Sequence, residues 1–303
     1  MKIVTAFESP DAPQLELLRA ALGIALLANF APLTFDLAEL YGDGGWISRE
    51  AFVAASVDTG WYSVLAWVRG PNQLAALHVA FLAAALAFTV GWGVGRVKWP
   101  LWVLYLSYLN RNPAVVYGAD LLLANLLLVV CVAPVGRGLR LGGTVGRWPS
   151  GPRAAVCLTL VRWQMALVFF FTAAQKLRGD LWWSGEAVWV VITNAEFAHP
   201  GLTRMLAEHF WFVTVATHAT LVFELAYPFL IWGRRTRRSI LGAAIVFHLG
   251  TAALFGLYLF AWVAIAGHMA FVPGRWLQSR ARTTGVPVLA VSAGPASAAP
   301  LET

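Results

Sequence analysis

The chain has 303 residues, 59% of them apolar and 12% charged, with a mean hydropathy of +0.67. This composition argues against a water-soluble domain and leaves a bilayer as the solvent. The net charge of +7 is spread over short basic clusters between apolar runs, a loop pattern that also argues against nucleic acid as a partner.

In chain order, residues 1–13 are mixed polar and lack a signal-peptide cleavage pattern. The first apolar run, Gln14–Leu37, is long enough to span and to serve as its own insertion signal. Trp46–Val68 follows, rich in tryptophan and apolar residues yet broken by charges, as expected of an amphipathic segment on the outer surface that can lid a site. Pro71–Gly93 is the second run. The third, Lys98–Leu109, is too short to span alone and must tilt or extend through the polar turn Asn110, Arg111, Asn112. Pro113–Ala133 and Ala154–Lys176 come next, then a second outer amphipathic segment at Leu181–Ile192. Trp211–Trp232, Ser239–Gly256 and Leu257–Val272 complete the set. The expectation is an all-α polytopic bundle of about eight spans over residues 14–273, with a flexible tail over 274–303 rich in Gly, Ala, Pro and Ser after Arg280.

The loops carry orientation. Arg96 and Lys98, then Arg137, Arg140, Arg147 and Arg153, then Arg234, Arg235, Arg237 and Arg238, then Arg275, Arg280 and Arg282 fall on one side of an even-numbered bundle. The opposite loops, Ala38–Gly70 and Leu177–Phe210, hold most of the carboxylates, Glu196 among them. The positive-inside rule then makes this a multi-pass protein of the cell inner membrane with both termini cytoplasmic. Tryptophans near the expected helix ends, such as Trp92, Trp99, Trp182, Trp183 and Trp232, read as interfacial anchors. Cys131 and Cys157 lie in apolar runs near the cytoplasmic side, where a structural disulfide is not expected.

Ionisable groups at membrane depth need a partner or a role. Counting rise per residue, Arg162 and Glu224 each lie about 12 Å from the cytoplasmic ends of their runs, with His248 at a similar level. An Arg162–Glu224 ion pair beside His248 is therefore expected, as an inert clamp or as part of a site. An outer polar layer comprises Asn110, Arg111, Asn112, Asp120, His218 and Lys176. Helical spacing aligns Arg162, Met165, Phe169, Thr172 and Lys176 on one face that links the two layers. For Lys176 the residues alone leave open snorkelling to headgroups and a functional role; Asp120 and His218 can equally be helix–helix glue. The six histidines, among them His199, show no HxxH, HExxH or CxxCH spacing, so no metal or haem site is expected. Gly91-Trp-Gly-Val-Gly95 follows a membrane helix, not a strand, and is no nucleotide loop.

Six motifs in register carry a resemblance: Leu18-Arg19, Tyr41-Gly-Asp-Gly-Gly-Trp-Ile-Ser-Arg-Glu50, Asn110-Arg-Asn-Pro113 with Gly118 and Asp120, Gln175-Lys-Leu-Arg-Gly179 with Trp183 and Gly185, Glu224-Leu-Ala-Tyr-Pro228, and Phe247-His-Leu-Gly250. Together they resemble the horizontally transferred transmembrane (HTTM) domain family, the membrane portion shared with vitamin K-dependent gamma-glutamyl carboxylase. The resemblance implies an outward-facing site in which Lys176 is the base of hydroquinone-driven proton abstraction. His218 and Asp120 are its companion catalytic candidates, and Asn110, Arg111, Asn112 and Trp183 are candidates to bind substrate. The chain departs from the carboxylases at Pro113, where they have a histidine, and in ending soon after its last helix, so full peptide carboxylation is not expected of it.

Two functional readings stand side by side. One is quinone-linked or carboxylase-like chemistry on an unknown substrate, with a quinone or hydroquinone as cofactor. The other is a non-catalytic transmembrane subunit packed against other integral membrane proteins. A transporter is disfavoured by the missing internal repeat.

Overall fold

A computed structural model of the chain describes residues 11–141, 146–194 and 201–283. The first ten residues, Glu196, His199 and the tail beyond residue 283 lie outside the described residues. Among the described residues the chain forms fourteen α-helices, and β-structure is limited to one bridge between Asp11 and Ser150. They are α1 (Pro13–Phe30), α2 (Leu37–Tyr41), α3 (Arg49–Thr59), α4 (Pro71–Val90), α5 (Val94–Arg111), α6 (Gly118–Val132) and α7 (Gly151–Lys176). There follow α8 (Asp180–Ser184), α9 (Ala187–Thr193), α10 (Leu202–Ala207), α11 (Phe210–Leu230), α12 (Arg237–Phe255), α13 (Tyr258–His268) and α14 (Gly274–Thr283).

The apolar runs of the sequence fall on α1, α4, α5, α6, α7, α11, α12 and α13. Five helices are long and apolar enough to cross a bilayer: α1 with its following 3-10 turn, α4, α7, α11 and α12; α6 and Tyr258–Phe271 are shorter apolar helices. The short third run gains length at both ends, because α5 reaches from Val94 through the polar turn to Arg111. Outward faces are apolar, with Val246 on α12 at 70% and Val222 on α11 at 66% exposed, a surface that only an apolar solvent suits. The expected tail from residue 274 begins as helix α14, whose Gln278 donates to Asp11 at 3.2 Å.

The outer segments read as amphipathic become short helices. Ser48 caps α3 by accepting from the Ala51 amide at 3.2 Å, and Phe52 is the helix's one buried residue. On the other segment, Val188 and Ile192 of α9 bury against Val213 of α11.

Helix α1 is central, packed on α4, α6, α7 and α13. Its buried face, including Leu15, Leu22, Leu26 and Phe30, meets Phe81, Phe88, Tyr105 and Tyr108. At its start, Glu16 and Arg19 are fully buried and paired at 2.8 Å. Glu16 Oε1 accepts from the amides of Gly136 (2.6 Å), Arg137 (3.1 Å) and Gly138 (2.9 Å). Arg19 donates to the carbonyls of Phe88, Thr89 (3.0 Å) and Leu139 (2.8 Å). The pair thus staples the α6–α7 connection to the end of α4, with every strong polar group matched as burial demands. Gly91 makes that seam possible: its φ is +89°, and a Cβ there would lie 2.4 Å from the Leu139 carbonyl oxygen.

Candidate functional site

Helices α7 and α11 pack antiparallel, and aromatic pairs set their register. Phe169 stacks on Tyr227 with centroids 4.0 Å apart, and Trp163 meets Trp232 at 5.0 Å. This register brings Lys176, the last residue of α7, against Glu224, with Nζ 2.7 Å from Oε2 and donating to Oε1 at 3.0 Å. The expected Arg162–Glu224 pair is thereby corrected. Arg162 adjoins Trp163 at the level of Trp232, roughly 12 Å along α11 from Glu224, and its Nε donates to the Ala270 carbonyl at 2.8 Å. Counting depth from the end of each run assumed flush ends, whereas the two helices are offset.

Lys176 does not snorkel. Its side chain is 20% exposed and that of Glu224 is 6% exposed. Trp182 of α8 covers it, with Nζ 5.1 Å from the ring centroid, a cation–π distance.

The pair opens onto a cavity of about 300 Å³ between α6, α7, α8, α9, α11, α12 and α13. Met165, Phe169, Thr172 and Lys176 line it, four of the five residues that helical spacing placed on one face. His248 lines the opposite wall beside Phe247 and Phe260. Behind it runs a buried chain: His248 Nε2 lies 3.1 Å from His268 Nε2, and His268 Nδ1 lies 2.8 Å from the Tyr227 hydroxyl. With both rings neutral, one proton sits between the two Nε2 atoms, so each tautomer fixes its neighbour's. Shifting the protons along the chain turns His248 Nδ1 from donor into acceptor. That Nδ1 is buried and has no hydrogen-bond partner among the described residues.

The remaining candidates lie elsewhere. Asp120 caps α6, accepting from the Tyr117 amide and the Tyr105 hydroxyl, each at 3.1 Å. His218 Nδ1 sits 3.0 Å from the Thr214 carbonyl one turn back on its own helix. Trp183 is 61% exposed and donates to the Leu177 carbonyl at 2.9 Å; its neighbour Trp182 is the one that lines the cavity. Arg111 donates to Ile47 (2.7 Å) and Gly42 (2.9 Å), Asn112 to Leu40 (2.9 Å), and Asn110 to Tyr62 (2.8 Å). These three therefore tie the α2–α3 region to the end of α5, and Asn110 borders a separate cavity of about 930 Å³ under α3.

Tyr227 and His268 are absent from the candidate site residues of the sequence, and Trp182 reads there as an interfacial anchor. A signal existed for Tyr227, three residues after Glu224 and thus on the same helical face. Nothing in the spacing of His268 links it to His248, since that link is tertiary.

The HTTM domain family model matches residues 10–276 of the chain. No curated protein and no solved structure matches it.

Proposed function

The chain belongs to the HTTM domain family, and from that premise we propose that the Lys176–Glu224 cavity is a quinone-linked reaction site within the membrane. One observation carries the proposal: a largely buried ion pair and a buried histidine, whose Nδ1 has no hydrogen-bond partner among the described residues, open onto the same apolar cavity. Such convergence of a few polar groups in an apolar pocket is the usual form of a small-molecule site.

The residues fit a quinone head, which is flat, apolar and edged by hydrogen-bond acceptors. Phe169, Phe247, Phe260 and Trp182 furnish aromatic walls, while Lys176 and His248 furnish polar groups. When bound, a quinone supplies two-electron, two-proton redox chemistry. The protein's part is to hold and move protons. Along the 3.0 Å hydrogen bond to Oε1, Glu224 can take the ammonium proton of Lys176, leaving a free amine and a neutral acid without net charge in the interior. At the other wall, the tautomer of the Tyr227–His268–His248 chain sets whether His248 Nδ1 donates to a quinone carbonyl or accepts from a hydroquinone hydroxyl. Carboxylase-like chemistry would use the freed Lys176 amine as its base.

The orientation belongs to the same reading: both termini cytoplasmic in the cell inner membrane, and the cavity toward the opposite side. It is supported by the gathering of Arg96, Arg137 and Arg140 at the end where α7 begins, while Lys176 ends that helix.

The test is solvent extraction of protein purified in nanodiscs, with quinone quantified by mass spectrometry. Quinone retained at near-equimolar level, and reduced about tenfold by Ala264→Phe in a variant of normal melting temperature, is the expected result. A parent protein that neither retains nor binds added quinone sinks the reading. If that protein instead migrates only with a second integral membrane protein, it is a non-catalytic subunit.

A further inference from the structure

A third cavity, of about 530 Å³, lies where the α4–α5 turn meets the connection between α6 and α7. Three arginines line it, Arg96, Arg137 and Arg140, together with Gly93 and Gly95. No carboxylate lines it, and none of the three arginines joins an ion pair among the described residues. The one acidic group nearby, Glu16, has its carboxylate turned into the connection, spent on Arg19 and on the amides of Gly136, Arg137 and Gly138.

Residues 136–141 of the connection are tied down by the Glu16–Arg19 staple and by the Leu141 amide bonding to the Val90 carbonyl at 2.9 Å. Arg137 and Arg140 thus stand on hydrogen-bonded backbone, which lowers the cost of ordering them around a ligand. Open space surrounds Gly93 and Gly95, where an added Cβ would meet nothing within 4 Å. A ligand can therefore approach the first turn of α5, whose dipole adds to the field of the arginines.

We propose that this cavity binds a phosphate ester, held by Arg96, Arg137 and Arg140, and that its source is an anionic phospholipid headgroup. Guanidinium groups bind phosphate oxygens in bidentate geometry, and basic pockets between membrane helices on the cytoplasmic side suit such headgroups. The choice of a lipid over a soluble phosphate rests on the rim. Trp92, between the lining residues Gly91 and Gly93, and Trp99, one turn along α5 from Arg96, are 56% and 43% exposed, as interfacial tryptophans are at headgroup depth. The site is independent of the Lys176 cavity, and neither proposal needs the other.

The experiment compares the full-length protein with the Arg137→Gln/Arg140→Gln variant in nanodiscs, counting retained lipid by native mass spectrometry. Variant Arg234→Gln/Arg235→Gln removes the same charge from another basic cluster. The parent and this control are expected to retain phosphatidylglycerol over phosphatidylcholine, while Arg137→Gln/Arg140→Gln weakens retention about 10- to 100-fold, the scale of removing two basic residues that face an anionic headgroup. A parallel arm titrates inorganic phosphate into protein in phosphatidylcholine discs and follows the melting temperature. Stabilisation there that the Arg137→Gln/Arg140→Gln variant loses, without phosphatidylglycerol preference, keeps the phosphate site but overturns its lipid source. Equal lipid retention by all three proteins, or equal loss in both double variants, overturns the site itself.

Discussion

Lys176 and Glu224 form an ion pair whose carboxylate is buried and whose lysine is only 20% exposed, so neither charge is well hydrated without the other. Removing one partner leaves an uncompensated charge, which costs far more than the intact pair contributes. Glu224→Gln is expected to destabilise by about 3 kcal/mol, the lower end for buried pairs because Lys176 keeps some solvent contact. Lys176→Arg keeps the charge and stays within about 1 kcal/mol of the parent, whereas Lys176→Met/Glu224→Leu recovers most of the loss by removing both charges. Reversible SDS unfolding in mixed micelles measures all three. A Glu224→Gln protein as stable as the parent would show that the carboxylate carries no charge to lose. The same residues mark the limit of reading positions singly. Lys176 and Glu224 each stood out from their motifs, but their pairing did not, because a side chain's depth in its own helix says nothing about how far a neighbouring helix is slid past it.

At the scale of elements, periodicity was informative and register was not. The spacing of Met165, Phe169, Thr172 and Lys176 correctly marked one wall of the cavity, since a helix fixes which of its residues share a face. The register that misled the Arg162–Glu224 assignment is set by aromatic contacts between helices, Phe169 with Tyr227 and Trp163 with Trp232. Helix α14 was read as tail for a related reason: its residues Gly274–Thr283 are polar, and only packing against the start of α1 accounts for their order. The Glu16–Arg19 staple was likewise invisible beyond Arg19, because its acceptors are backbone groups of a distant connection. That staple supports a prediction. Glu16→Gln retains an oxygen for the amides of Gly136, Arg137 and Gly138 but strips the fully buried Arg19 of its countercharge. The expected loss is about 3–5 kcal/mol, read by the same SDS unfolding, with the α6–α7 connection becoming the first site of protease cleavage. Unchanged unfolding and unchanged cleavage would mean that Arg19 is neutralised by some other means.

For the molecule as a whole, the basic clusters and the chain path make one argument about sidedness. The hydrogen bonds of Arg19 hold the α6–α7 connection against the end of α4, so Arg96, Arg137 and Arg140 share one end of the bundle by contact as well as by sequence count. The α11–α12 turn, with Arg234 and Arg235, follows the end of α11 that meets Trp163 at the middle of α7, on the side of Lys176 toward Gly151. In the proposed orientation the basic end is retained on the cytoplasmic side during insertion, so Ser239, at the start of α12, is expected inside and Ser184, at the end of α8, outside. Both serines are exposed, and the two native cysteines, Cys131 and Cys157, are buried free thiols that give little background labelling. In intact cells a membrane-impermeant maleimide is therefore expected to label Ser184→Cys and to reach Ser239→Cys only after permeabilisation. Because α7 runs between the two ends, the same result would set the Lys176 cavity toward the outer leaflet and the arginine-lined cavity toward the inner one. Labelling of Ser239→Cys from outside with Ser184→Cys protected would invert both assignments, and would move the phosphate-binding proposal to a leaflet where the positive-inside argument no longer supports it.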